Sequence, residues 1–422
     1  MQNSYYGSVP PFGYTPRLID DRLARLLAEL PALMLTGPRA SGKTTTARRL
    51  AATVVRLDRE NEASPFRLDP DAALAAQAEP VLLDEWQVVP EVLGAVKRAV
   101  DDDPRPGRFL LTGSARGNLD APTWPGTGRV VPVTLYGLSE REMQGRIDGP
   151  TFVERLADGQ VDAFTLPPQV PDVVGYIELA LRGGFPEPVL RRTGESARAW
   201  LDGYLRQLLT RDAEGLDGPR DPARLRRYFE ALALNSAGLV DHKTLYDAAG
   251  VHRMTGVAYE RLLTNLFVLD ALSPWTSNRL MRLVRAPKRY LVDSSLVATA
   301  LDLDLRAVLR SGDLIGRLID TFVVAQLRPE LELRSPQPRL YHLRQRDARR
   351  EIDLVVEVSA GDVVAIEIKA TSAPSRDDAR HLAWLRDQLG ERFLAGAVLH
   401  TGPRPFRLDD RIFALPICCL WG

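Results

Sequence analysis

Gly37-Pro38-Arg39-Ala40-Ser41-Gly42-Lys43-Thr44 constrains this 422-residue chain more than any other segment. It has the form G-x-x-x-x-G-K-T, and its flanks are the ones that form requires. Before it runs Ala32-Leu33-Met34-Leu35-Thr36, an apolar stretch suited to a buried parallel strand. After it, Thr45-Thr46-Ala47-Arg48-Arg49-Leu50-Ala51 continues as a helix. The glycines let the backbone curl until its N–H groups face one point, and the helix N-terminus adds partial positive charge there. Residues Gly37, Pro38, Arg39, Ala40, Ser41, Gly42, Lys43, Thr44 and Thr45 therefore read as a cradle for a nucleoside triphosphate. Lys43 is the residue for the β- and γ-phosphates, and the Thr44 hydroxyl is a ligand for Mg²⁺.

A second apolar strand, Pro80-Val81-Leu82-Leu83, ends in Asp84-Glu85. Two acids at a strand end, some forty residues after such a loop, form a Walker B element: Asp84 holds Mg²⁺ through water and Glu85 orients or deprotonates the attacking water. A third strand, Phe109-Leu110-Leu111-Thr112, leads to Gly113-Ser114, which makes Ser114 a candidate γ-phosphate sensor. Val54–Asp58 and Arg129–Val133 supply two more strands. Strands alternating with helices predict an open, mostly parallel sheet with ligand at the strand C-termini. Arg116 and Arg129 flank the loop after Ser114; each is a candidate contact for the γ-phosphate or for a neighbouring subunit's site, against the plainer role of a surface arginine.

Composition excludes more than it proposes. Apolar residues make up 45% and charged residues 26%, and the formal net charge is zero, so only local patches can speak for nucleic acid. No apolar run approaches the ~18–20 residues of a membrane span. The N-terminus lacks the basic-then-apolar pattern of a secretory signal, so a cytoplasmic protein without a membrane partner is expected. Cys418 and Cys419 are adjacent, which suits neither a disulfide framework nor a zinc site. Lysine occurs only at Lys43, Lys97, Lys243, Lys288 and Lys369, so arginine supplies 50 of the 55 basic residues. Each lysine is then worth inspecting, because arginine cannot replace a compact ammonium everywhere.

The middle of the chain is helical. Residues 150–172 are rich in Pro and Gly, and helix 196–211 carries an i, i+4 stripe of Trp200, Leu201, Tyr204, Leu205 and Leu208. Helices over 222–236, 244–249 (stopping at Gly250) and 255–267, then a strand at 289–292, have the order of a winged helix-turn-helix. His252, Arg253 and Thr255 open the third helix, and Arg279, Arg282, Arg285, Lys288 and Arg289 surround the wing. That basic patch suits DNA phosphates; a lid or interface packed on the nucleotide core is the competing role.

In the C-terminal quarter, an amphipathic helix over 313–327 with acids at Asp313 and Asp320 precedes strands at 339–344, 351–358 and 363–369. Glu367 and Lys369 are two apart on a strand and so share a face, and Asp353 begins the preceding strand. Asp…Glu-x-Lys across adjacent strands is the metal-dependent phosphodiesterase arrangement of restriction endonucleases, with Asp353 and Glu367 as metal ligands and Lys369 as the group acting on water or phosphorus. A salt-bridged strand pair in an inactive fold of the same kind stands beside that reading. Asp241 and Lys243 repeat the spacing but lie at a helix start, where i and i+2 diverge. Helix 377–389 and strand 397–400 complete an αβββαβ core.

Taken together, Arg17-Leu18-Ile19-Asp20, the loop at 37–44, Leu82–Glu85, Leu111–Ser114, Gly128-Arg129-Val130, Gly183–Glu187, Pro287-Lys288, Glu351–Asp353 and Glu367–Lys369 resemble a bacterial and archaeal family of AAA-type P-loop ATPases with a C-terminal domain of unknown function. The resemblance covers nearly the whole chain and implies ATP as the nucleotide, a winged helix and a restriction-endonuclease-like C-terminal domain. Where relatives carry Glu and then Asn-Phe, this chain has Asp320-Thr321-Phe322, a shorter acid at the third metal ligand. The expected fold is an α/β multidomain chain: a P-loop AAA-type domain with a parallel sheet over 1–150, a helical linker or lid over 151–220, the winged helix over 221–295, and the nuclease-like αβββαβ domain over 310–422. The expected function is a Mg²⁺-dependent ATPase acting as a switch coupled to nucleic-acid binding or processing, with DNA as partner. The alternative is an ATP-controlled protein-interaction module on an inactive nuclease-like scaffold. A small-molecule kinase fits less well, since Glu85 beside Asp84 suits a water nucleophile. Oligomeric state is left open.

Overall fold

The computed structural model describes residues 13–114, 128–159, 164–212, 221–276, 287–345, 350–359 and 361–422. Two compact units emerge, one of residues 12–138 with 261–268, the other of 139–260 with 269–422.

The first unit is built on a parallel sheet of β1 (Ala32–Thr36), β2 (Thr53–Arg56), β3 (Val81–Asp84), β4 (Phe109–Thr112) and β5 (Val131–Thr134), in the order β2-β3-β4-β1-β5. Every residue of β1, β3 and β4 is buried, as expected of central strands covered on both faces. The two outer strands are partly exposed, and Pro132 lies in one of them, β5, where a missing ladder donor is tolerated. Met34, Leu83, Phe109, Leu111 and Trp86 form the core with Val92 and Val96 of helix Val92–Asp102. The register sets Asp84 level with Thr112, and Thr112 level with Leu35. Three strands therefore finish together, and the glycine-rich loop starts one residue beyond β1.

In the second unit, short helices Glu140–Met143 and Phe152–Ala157 come first, followed by helices Val173–Arg182, Pro186–Arg191 and Gly194–Gln207. Leu201 and Leu205 of the predicted stripe are buried, and Trp200 stacks on Tyr204 at 5.4 Å between ring centroids, with Phe185 4.8 Å from Tyr204. Gly183 joins the first two helices at φ 70°, and a Cβ there would lie 2.2 Å from Asp293 Oδ1. Helices Pro222–Leu234, His242–Ala249 and Arg253–Asn265, the last of which belongs to this unit only up to Glu260, precede an antiparallel pair, β6 (Leu269–Leu272) and β7 (Lys288–Leu291). The long helix Gly312–Leu331 then enters a six-stranded sheet of β8 (Arg339–Arg344), β9 (Glu351–Ser359), β10 (Asp362–Ile368), β11 (Phe393–His400), β12 (Phe406–Asp409) and β13 (Ile412–Pro416). Its order is β12-β13-β11-β10-β9-β8. The expected αβββαβ core stops short of this, because β13 runs parallel beside β11 and β12 closes the edge. The added strand β12 is four residues and mostly exposed, too short to show an alternation, while β13 is buried throughout. Among the described residues no helix is long and apolar enough to cross a membrane.

The main segment of the first unit ends at Leu138, whereas the sequence suggested a division near 150. Ser139 caps helix Glu140–Met143 in a reciprocal box with Glu142, and this helix is fastened to the long helix of the second unit. The Glu140 N–H donates to Gln326 Oε1 at 2.7 Å, and Arg141 Nη1 to Glu330 Oε1 at 2.6 Å. The other Glu330 oxygen takes the Phe152 N–H at 2.6 Å. Arg141 and Glu330 are both buried, so removing one strands the other's charge away from water. Arg141→Met is expected to destabilise this unit by about 3–5 kcal/mol, measured as a drop in the urea midpoint of its unfolding transition.

Candidate nucleotide site

The loop after β1 takes the backbone path its glycines allow. Gly37 has φ 138°, and a Cβ there would meet the Leu135 carbonyl oxygen at 2.2 Å; Gly42 has φ 98° and opens helix Lys43–Arg48. Ala40 adopts φ 58° without being glycine, a costly conformation for a loop to hold. Arg17 buttresses the loop from behind: its guanidinium donates to the Ser41 carbonyl at 3.0 Å and to the carbonyls of Tyr136 and Gly137 at 2.8 and 3.1 Å. Gly37, Pro38, Ser41 and Lys43 are buried, while Arg39, Ala40 and Thr45 are exposed along the rim.

Asp84 is where the elements meet. Thr44 Oγ1 donates to Asp84 Oδ1 at 2.6 Å, and Thr112 Oγ1 donates to the same oxygen at 2.5 Å. The ends of β3 and β4 and the helix that follows the loop are thus joined through one carboxylate. The buried Lys43 ammonium donates to the carbonyls of Gly37 and Pro38 at 3.1 and 2.7 Å. Burial pulls its pKa down to about 8, against the opposing pull of Glu85 and with help from Arg39. An ammonium held in this way on neutral carbonyls is under-compensated, which is the environment a phosphate would complete. The residues present therefore fit a Mg²⁺–nucleotide.

Glu85 follows Asp84 in a left-handed conformation, φ 55°, and Gln87 Nε2 donates to its carboxylate. Ser114, buried past the end of β4, accepts from Arg39 Nε at 3.2 Å. Gly113 before it lets the chain pass Trp86, since a Cβ would lie 2.6 Å from the indole nitrogen. Arg129 is not brought to this group. It precedes β5, at the edge where the parallel strands begin, and its Nε donates to Asp101 Oδ1 at 2.8 Å. Contact with the γ-phosphate of its own chain is excluded by that sidedness. Arg116 lies outside the described residues. Thr112 and Arg17 were not foreseen as site residues, although both lie in segments that carry the family resemblance.

The C-terminal acids also meet, in a different manner from that expected. Asp353 on β9 and Glu367 on β10 lie on neighbouring antiparallel strands, and Lys369 Nζ donates to Glu367 Oε2 at 3.3 Å. His381, unnoticed in the sequence, has Nδ1 3.8 Å from Glu367 Oε1 and 2.6 Å from the Glu351 carbonyl oxygen. Burial and the nearby Asp353 raise the Glu367 carboxyl to about 7. Lys288, expected on a DNA-facing wing, is instead buried, and its Nζ donates to Asp353 Oδ1 at 2.9 Å. Burial works against charge on Asp353, yet the Lys288 and Lys369 ammoniums hold its carboxyl well below the usual range. Arg289 is buried as well, donating to Glu260 Oε1 at 2.8 Å. Arg279, Arg282 and Arg285 lie outside the described residues. Among the described residues no group of three His, Cys, Asp or Glu side chains is arranged to hold a metal ion.

Known proteins sharpen this picture. Residues 29–144 match an AAA domain, 174–307 a domain of unknown function (DUF8612), and 315–420 a domain of unknown function (DUF4143). The uncharacterised proteins Rv2008c of Mycobacterium tuberculosis and Mb2031c of Mycobacterium bovis are each 33% identical over 400 residues, spanning 94% of this chain and 82% of theirs. The chain belongs to their family, a P-loop ATPase family. The solved Walker-type ATPase PABY2304 of Pyrococcus abyssi aligns over 71% of this chain and 99% of its own, at 16% identity and a TM-score of 0.41, a likeness too loose to carry weight.

For a P-loop ATPase the position of Gly37 has a direct consequence. Gly37→Ala would drive a methyl group into the Leu135 carbonyl and turn the loop's first N–H groups aside. Nucleotide affinity is expected to fall by about tenfold or more, measured by titration with a fluorescent ATP analogue, while the unit's far-ultraviolet circular dichroism stays intact.

Proposed function

We propose that this protein binds ATP with Mg²⁺ and hydrolyses it, using the nucleotide state as a switch for a partner-binding surface in the second unit. The observation that carries the reading is the sharing of Asp84 Oδ1 by Thr44 and Thr112, beside the buried Lys43 and the acid Glu85. The backbone from Gly37 to Thr45 would cradle the phosphates, with Lys43 turning from its carbonyls to the β- and γ-oxygens. Thr44 and Asp84 would hold the metal, which neutralises charge developing on the phosphates. Glu85, oriented by Gln87, would polarise the attacking water, and Ser114 with Arg39 would contact the terminal phosphate. With Arg129 committed to Asp101 at the far edge, any arginine contact from it would have to reach a neighbouring subunit's site.

Nucleic acid and protein remain the two candidate partners, and one observation favours protein. Two of the basic wing residues, Lys288 and Arg289, are consumed by buried ion pairs. The third helix of that region instead exposes Met254 at 77% and Val257 at 45%, an apolar contribution next to Arg253. The reading that fits is an ATP-controlled interaction module whose C-terminal domain is a scaffold. DNA binding through Arg253 is the competing reading.

Lys43→Ala is expected to weaken ATP binding by about a hundredfold or more; unchanged affinity in a calorimetric titration would remove the assignment. Glu85→Gln is expected to bind ATP normally while turnover drops by about a hundredfold, followed by phosphate release. Wild-type protein incubated with Mn²⁺ and single- or double-stranded DNA should leave the DNA intact while ATP is turned over. Cleavage that disappears in Asp353→Ala and Glu367→Ala would instead establish a nuclease.

A further inference from the structure

The acidic cluster at the head of the C-terminal sheet draws on separate parts of the second unit: Lys288 from β7, Asp320 from the long helix, Asp353 from β9, and Glu367 with Lys369 from β10 and its end. A divalent metal there would need carboxylate oxygens facing a common vacancy. The oxygens are otherwise engaged. Asp353 Oδ1 accepts from Lys288 Nζ at 2.9 Å, and Asp353 Oδ2 accepts from the Ile368 N–H at 3.0 Å. Glu367 is taken on one oxygen by Lys369 at 3.3 Å and faced on the other by His381 at 3.8 Å. Asp320 Oδ2 lies 3.9 Å from the same Lys288 ammonium. The residues therefore do not fit the metal that the nuclease resemblance implies.

We infer that the Lys288 ammonium is the resident cation of this cluster, taking the place of a divalent metal between Asp320 and Asp353 and closing the site to metal. Three features make this a built position rather than a side chain caught in passing. Lys288 is 2% exposed and its neighbours hold it: Tyr290, two residues on, has its ring centroid 5.6 Å from the ammonium, and Arg289 is anchored on Glu260. Lys288 is also one of only five lysines in a chain that otherwise uses arginine for positive charge. A compact ammonium on a flexible stem can sit between two carboxylates where a planar guanidinium would not fit. Finally, an ammonium and a divalent cation on one carboxylate repel each other at close range, so an ammonium already seated there weakens metal binding.

The consequence is that the second unit joins β7, the long helix and the six-stranded sheet through an ion cluster that is complete without metal. This inference deepens the scaffold reading and is independent of ATP hydrolysis. The test uses the full-length, nucleotide-free protein carrying Asp84→Asn, which removes the P-loop metal ligand, with Mn²⁺ binding followed by electron paramagnetic resonance of the free ion. With Lys288 present, adding Asp353→Asn should leave Mn²⁺ binding unchanged. Adding Lys288→Ala instead should create a site that tightens Mn²⁺ binding by about tenfold or more, raises the melting temperature in Mn²⁺, and is lost again with Asp353→Asn. The inference is overturned if Asp353→Asn removes Mn²⁺ binding while Lys288 is intact, a comparison that does not depend on the alanine variant folding. It is equally overturned if Lys288→Ala folds and gains no Mn²⁺ site.

Discussion

One carboxylate oxygen, Asp84 Oδ1, accepts hydroxyl protons from Thr44 and Thr112 at 2.6 and 2.5 Å, and the first unit is arranged around that shared contact. It exists because the parallel register sets Asp84 level with Thr112 and leaves β1 ending alongside, where the glycine-rich loop turns back toward them. A slip of one residue in β3 would send Asp84 to the other face of the sheet and leave Glu85 in its place. The buried apolar faces of β1, β3 and β4 fix that register, so the hydrophobic core and the chemistry are set by the same pairing. Lys43, held on neutral carbonyls and depressed to about 8 by burial, is the complementary half: a buried cation short of an anion.

The second unit is organised by buried ion pairs between segments distant in sequence. Arg141 meets Glu330, Arg289 meets Glu260, and Lys288 meets Asp353. Such pairs gain little net stability over well-packed apolar residues, but each is expensive to break on one side only, so they select one arrangement of the elements. The exposed pairs, such as Arg98 with Asp71 or Lys97 with Asp101, contribute little by comparison. The charge that Lys288 and Arg289 seemed to offer DNA is thus spent internally.

What could be seen in the sequence was local. The loop at 37–44, the acids at 84 and 85 and the five strands of the first unit follow from spacing and apolar runs within a few residues of each other. In the C-terminal domain β8 to β11 were foreseen, although β10 and β11 are buried nearly throughout; β12, four residues and mostly exposed, gave no signal, and the fully buried β13 was not foreseen. Long-range partners were hidden. Nothing adjacent to Arg17 says that it supports the Ser41 carbonyl, and nothing near Lys288 says that its partner is Asp353. Arg129 is the instructive case. In a parallel sheet, ligands gather where strands end, and a residue just before a strand lies at the opposite edge. Strand polarity alone could have kept it away from its own chain's phosphates.

The central claim is that Asp84 and Thr44 form a metal position completed by nucleotide. Calorimetric titration of ATP with and without Mg²⁺, on the wild type and on Asp84→Asn, tests it most directly. The account predicts that Mg²⁺ tightens ATP binding to the wild type by about tenfold or more and has no such effect on Asp84→Asn. Equal ATP affinity in the presence and absence of Mg²⁺ in the wild type, or a Mg²⁺ effect that survives in Asp84→Asn, would contradict it.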